Sequence, residues 1–138
     1  MTTNHLYDIA EKNNIHIRDF KLQKTKSTSI NIEDDYYIGI DDEAMETTAE
    51  RNTHLGHELG HCMTGSFYNM FSEHDIRSKH EYRADKWSVL HLVPKAEFMS
   101  LLKQGYEPWD LAEYFNVTEE LINRAYYFYC KIEIIENQ

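Results

Sequence analysis

Cysteine is scarce in this 138-residue chain: Cys62 and Cys130 are the two present, and no Cys-x-x-Cys spacing occurs. Two thiols cannot build a disulfide framework, so both are expected as reduced core or near-core side chains, as in a cytoplasmic protein. No window approaches the run of about 18 apolar residues that a membrane-spanning helix needs. The first residues, Met1 to His5, carry no basic stretch followed by an apolar run, so no signal peptide is expected. Basic residues are also short. Lys and Arg number 14 against 24 Asp and Glu, a formal net charge of −10. Such a surface disfavours nucleic acid, whose phosphates require Lys and Arg, and disfavours an anionic membrane. It favours solubility and a basic partner or substrate segment.

What is present suits one domain. The apolar fraction is 41% and the aromatic fraction 13%, with ten tyrosines. A chain of this length can bury a core without staples. The expected division is a core over residues 1–94 and a helical subregion over 95–138.

The most informative stretch is His57-Glu58-Leu59-Gly60-His61. Residues four apart share one face of a helix, so His57 and His61 can place two imidazole nitrogens on one ion. Glu58 can reach a water there without ligating the ion. The chemistry needs that division: a bound zinc lowers the pKa of water from 15.7 to about 7, and a nearby carboxylate takes the proton as the water attacks a carbonyl. The bland alternative is a surface helix with two spare histidines. A third ligand argues against it. Glu81 opens Glu81-Tyr82-Arg83-Ala84-Asp85, and Asp85 lies four residues on, on the same helical face. One carboxylate can bind the metal while the other accepts the free N–H of a ligand imidazole. His, His, Glu and water form the open arrangement of a catalytic site. Ser78-Lys79-His80-Glu81 also fits a capping box, in which Glu81 would only satisfy its own helix.

Together, HELGH at 57–61, a gap of about twenty residues, then Glu81-Tyr82-Arg83-Ala84-Asp85 and Val93-Pro94 resemble the ImmA/IrrE group of small metallopeptidases. The resemblance covers residues 30–94, and the C-terminal helices more loosely. Many members carry a second Glu just before the Ala, where this chain has Arg83, so the ligand role is carried onto Glu81 alone. The resemblance implies limited cleavage of a regulatory protein, typically a helix-turn-helix repressor encoded nearby in bacteria or their mobile elements.

In chain order, a short helix is expected from Asn4 to Asn13, then a strand through Ile15 and Ile17 with Phe20 as its outer bound, followed by a polar connection from Lys21 to Ser29. Ile30 and Ile32, a turn at Glu33-Asp34-Asp35, and Tyr36, Ile38 and Ile40 read as a hairpin. That hairpin could offer an edge for an extended substrate or simply cover the motif helix. The helix from Thr47 to Met63 carries the motif, with Leu55, Leu59 and Met63 as its apolar stripe. Gly56 and Gly60 would cost about 1 kcal/mol each in helix propensity unless a neighbour packs close there. His54 reads as a neighbour of the site. Residues 64–77 read as a loop rimming the cleft, with Tyr68, His74 and His80 as candidate oxyanion donors. A helix beginning at Glu81 and apolar through Trp87, Val89, Leu90 and Leu92 stops near Pro94. Helices follow over 95–104, from Pro108, and from Glu119 to about Ile135. The last two resemble a helix-turn-helix, but the second opens with two Glu and offers Arg124 and Lys131, a poor DNA reader. Packing or a protein partner suits them better.

The expected fold class is therefore α+β: a zincin-like small domain with a short antiparallel sheet on the HExxH helix, followed by a C-terminal helical part. The expected activity is that of a zinc metallo-endopeptidase with His57, His61 and Glu81 on the metal, Glu58 as base and Asp85 behind a ligand. Ligand type alone does not separate Zn2+ from Mn or Fe. The expected partner is a protein substrate, with neither nucleic acid nor membrane. The alternative is a metal-binding regulatory module that docks a partner without proteolysis.

Overall fold

The computed structural model describes residues 3–68 and 72–131. It begins with α1 (Thr3–Lys12), followed by strands β1 (Ile15–Asp19), β2 (Ser27–Ile32) and β3 (Asp35–Ile40). After one short helical turn at Asp42–Ala44 come α2 (Thr48–Thr64), α3 (His74–Leu92), α4 (Lys95–Lys103), α5 (Pro108–Phe115) and α6 (Glu119–Cys130). The architecture is α+β, a zincin-like small domain with a C-terminal helical part.

The hairpin forms as the sequence pattern predicts. Glu33 and Asp34 hold φ of 49° and 70°, the pair of positive values that a tight turn between twisted strands requires. Asn31 Oδ1 accepts from the Asp34 amide at 2.9 Å and braces it. The sheet is mixed, however, and not purely antiparallel. Its order is β1-β3-β2, with β1 parallel to β3 and β2 antiparallel to it. The tight hairpin occupies one edge of β3, so β1 takes the other. Phe20 lies beyond β1 and is 57% exposed.

The faces of the hairpin strands differ from a simple apolar-inward reading. Ile38 and Ile40 of β3 are buried, but Ile30 and Ile32 of β2 are 47% and 53% exposed. Side chains two apart on a strand share a face. The inward set of β2 is thus Ser27 and Ser29, which meet a carboxylate on α2.

Thr47 caps α2, its hydroxyl accepting from the Glu50 amide at 3.0 Å. Gly65 closes the helix at φ 65°. Leu55, Leu59 and Cys62 are buried, whereas Met63 is 39% exposed and falls outside the expected stripe. The step to Cys62 follows the helical drift that a strict four-residue spacing ignores.

The next helix starts earlier than expected. α3 begins at His74 with Glu73 at its N-cap, so Glu81 sits two turns inside and the capping-box alternative fails. Val89 and Leu92 are buried, but Leu90 is 49% exposed. α2 and α3 approach closely where the glycines lie. A Cβ on Gly60 would collide with the Ala84 carbonyl oxygen and lie 2.9 Å from its Cα. One on Gly56 would run into the end of the Leu92 side chain. The helix-propensity cost of the glycines is offset by this close packing.

The C-terminal helices join the same core. Phe98, Leu111, Leu121, Ile122 and Ala125 cluster with Leu55, Leu59, Val89 and Leu92. The turn between α5 and α6 is pinned to α2: Asn52 Nδ2 donates to the Asn116 carbonyl at 3.0 Å, and the Thr118 amide donates to Thr53 Oγ1 at 3.0 Å. Asn116 takes the left-handed conformation, φ 54°, that lets the chain reverse there. α6 ends at Cys130, capped by Lys131 at φ 58°, short of the expected Ile135. That expected extension beyond Lys131 lies outside the described residues. Among the described residues no helix is long and apolar enough to cross a membrane.

Candidate metal centre

α2 and α3 bring three side chains to one point. His57 and His61 project one above the other from α2, and Glu81 reaches them from α3. The two Nε2 atoms are 3.2 Å apart. Glu81 Oε2 lies 2.9 Å from His57 Nε2, and Oε1 lies 3.2 Å from His61 Nε2. These ligand atoms all lie within 4.8 Å of one another.

The hydrogen-bond network decides what the imidazoles present. His61 Nδ1 meets the Ser66 carbonyl in a short contact. A carbonyl oxygen only accepts, so that Nδ1 carries a proton. His57 Nδ1 meets Asp85 Oδ1 at 2.9 Å, and an ionised carboxylate likewise only accepts. With both Nδ1 atoms donating, neutral rings would turn both Nε2 lone pairs toward each other and toward the Glu81 oxygens. Acceptors would then converge with no donor between them, so the point calls for a cation, either a proton on an imidazole or a metal ion. An ion held tetrahedrally at about 2.0–2.1 Å would separate its ligand atoms by about 3.3 Å, close to the separations seen. The donor set and its spacing thus fit a metal ion.

The titration behaviour carries the same message. Burial pushes the His57 imidazole down, but hydrogen bonds to Asp85 and Glu81, with the charge of Glu58 added, outweigh it and raise the pKa to about 10. Burial acts to raise the Glu81 carboxyl, yet hydrogen bonds from His57, His61 and Tyr68 hold it well below the usual carboxylate range. The side chains by themselves call for positive charge at this point.

Glu58 is 6% exposed and stands outside the converging trio. Its carboxylate accepts from Ser27 Oγ and Ser29 Oγ, each at 2.7 Å. With the trio it lines a cleft of about 440 Å³, walled by β2 on one side and by Phe67 and Tyr68 on another. The Tyr68 hydroxyl donates to Glu81 Oε1 at 2.5 Å. This bond, then burial, lifts the phenol to about 12. Of the three candidate oxyanion donors, Tyr68 lines this cleft, and neither His74 nor His80 does. His80 instead stacks on the Tyr68 ring, with centroids 6.2 Å apart.

Asp85 faces two ways. Oδ1 accepts from His57, and Oδ2 lies 3.3 Å from Arg124 Nε on α6. His54, three residues before His57 on α2, meets Ser27 Oγ at 3.2 Å. The sequence reading singled out all the members of the trio with Glu58 and Asp85. It missed Ser27, Ser29, the Ser66 carbonyl and Arg124. Ser27 and Ser29 carry one usable signal, their two-residue spacing on a strand, but which face meets Glu58 is set by packing.

No curated protein and no solved structure matches the chain significantly. A family model does match it, that of the M78 peptidases, described as the IrrE N-terminal-like domain, over residues 10–127. The match spans both helices that build the trio, the edge strand beside them, and most of α6. The chain therefore belongs to the IrrE N-terminal-like domain family of M78 peptidases.

Proposed function

We infer that the protein is a zinc-dependent metallo-endopeptidase. His57, His61 and Glu81 would hold the ion, and Asp85 would fix the His57 tautomer from behind. The convergence of both Nε2 atoms on one carboxylate, with both Nδ1 atoms committed elsewhere, carries this reading. A bound zinc supplies Lewis acidity and brings water within reach of deprotonation near neutral pH. Glu58 takes a proton from the attacking water onto its carboxylate and delivers it to the departing amine nitrogen, so the base ends the cycle unchanged. Tyr68, on the cleft wall, is the candidate donor for negative charge developing on the scissile carbonyl oxygen, once its hydroxyl turns from Glu81 to the substrate. β2, at the edge of the sheet, gives an extended peptide a strand to pair with.

The substrate reading is a regulatory protein, of the helix-turn-helix repressor type, cut at few sites. The family resemblance supports it, together with the acidic net charge of −10, which suits a basic partner. The decisive experiment compares wild type with Glu58→Gln, both loaded with zinc, on such repressors. Metal retained with cleavage cut to a small residual rate is the expected result. Cleavage that survives the substitution undiminished, with metal still bound, refutes the base assignment. Metal binding by wild type without cleavage of any protein favours the docking module instead.

A further inference from the structure

We propose that Ser27 and Ser29 are positioning residues for Glu58, so that the strand on which a substrate would pair also mounts the base. The inference rests on the reading of Glu58 as that base. Ser27 and Ser29 lie two apart on β2 and share its inward face. Each hydroxyl donates to a different oxygen of Glu58, both at 2.7 Å. Ser27 and Glu58 are each 6% exposed, which shields the bond between them from water, while Ser29 is partly buried at the cleft. Ser27 gives its one O–H to Glu58, so its oxygen must accept from His54 Nδ1 at 3.2 Å. A chain of donors thus runs from His54 through Ser27 to Glu58.

The consequence is geometric. A glutamate on a helix has three rotatable bonds, and a base displaced by about 1 Å can lose roughly 100-fold in rate. Two donors on two different oxygens fix the plane of the carboxylate. Each oxygen has two lone pairs, so one remains on each for the attacking water. Since both hydroxyls ride on the sheet edge, any shift of β2 as a peptide pairs with it moves substrate and base together.

The test uses the full zinc-loaded chain and a pool of fluorescence-quenched peptides. Ser27→Ala and Ser29→Ala should each lower kcat by roughly tenfold, the loss of a hydrogen bond to a charged group. KM and zinc content should stay within about twofold of wild type. Ser29→Thr, which keeps the hydroxyl, should restore turnover. In a Glu58→Gln background the same alanines should cost nothing further, because the group they position is gone. Unchanged kcat, loss of zinc, or an equal penalty in the Gln background each overturns the proposal. Absence of turnover by wild type would count against the peptidase reading itself. The positioning claim is then decided in the metal-free protein by the 13C resonance of the Glu58 carboxyl, identified by its loss in Glu58→Gln. That resonance should move in both alanine variants and return in Ser29→Thr; a resonance that stays put refutes it.

Discussion

Gly60→Ala probes how packing builds the candidate metal centre. Alanine is the better helix former by about 1 kcal/mol, so on local grounds the change should stabilise α2. The structure predicts the opposite. The new Cβ would collide with the Ala84 carbonyl oxygen and stand 2.9 Å from its Cα, about half an ångström inside the 3.4 Å where ordinary contact begins. The obstacle is backbone, which cannot rotate away, and Ala84 is fully buried. α2 and α3 must part. Overpacking of this kind costs about 1–3 kcal/mol, and a rigid obstacle places it at the upper end. After the propensity gain, the net loss is about 1–2 kcal/mol, a fall in Tm of roughly 3–6 °C for a chain of this size. The metal site suffers more. Glu81 lies on α3 three residues before Ala84, and His61 follows Gly60 directly. Metal sites tolerate displacements of about 0.2 Å, so zinc affinity should fall at least roughly tenfold. The assays are thermal unfolding of the metal-free chain and competition for zinc against a chromophoric chelator. Gly56→Ala is the control: it meets the flexible end of Leu92 and should leave zinc affinity nearly intact. A Gly60→Ala protein that melts higher and binds zinc like wild type would refute the reasoning.

On the proposed metal reading, Asp85→Asn replaces the charged acceptor behind His57 with a neutral amide that can also present its NH2, so it no longer enforces the His57 tautomer; it should weaken zinc binding about 10- to 100-fold with little change in fold, measured by the same competition and by circular dichroism. Arg124→Ala removes an exposed ion pair to Asp85 and should weaken binding by no more than about fivefold; an effect as large as that of Asp85→Asn would mean α6 does more than brace the carboxylate. Zinc binding at pH 7 should release about one proton, because His57, with its pKa raised to about 10, is protonated there and must become neutral to ligate. Calorimetry in buffers of different ionisation enthalpy reads that number, and zero contradicts it. For the metal-free protein, the raised His57 pKa stabilises the fold fully below its unfolded value of 6.5, and the benefit fades as pH climbs toward about 10. The depressed Glu81 acts in reverse, helping above its unfolded value of 4.5 and losing effect as acid protonates it. Urea midpoints should therefore decline from pH 6.5 toward pH 10 in wild type, and less steeply in His57→Gln.

The candidate site was more legible than the sheet around it, and the difference has a cause. His57, Glu58 and His61 fall within five residues, and helix geometry places them with no help from the rest of the chain. Asp85 could be paired with Glu81 by the same four-residue rule. The start of α3 was misjudged because His74 to His80 carries few apolar residues, and an exposed first turn leaves no periodic mark. The face of β2 is not legible from alternation for a related reason. Ile30 and Ile32 are its apolar residues, but the buried carboxylate of Glu58 needs donors, and satisfying it sends Ser27 and Ser29 inward.

By itself the sequence determined the chemistry carried by α2, the hairpin turn, the acidic surface and the need for a close neighbour at the two glycines. Those features depend on residues near one another along the chain, where spacing and backbone preference suffice. Tertiary structure alone decided that β1 runs parallel to β3, that Arg124 backs Asp85 and that two serines hold Glu58. Each of these joins segments some twenty to forty residues apart. No local periodicity records such a pairing, because it is chosen by which buried polar groups and apolar faces can be satisfied together when the whole chain closes on its core.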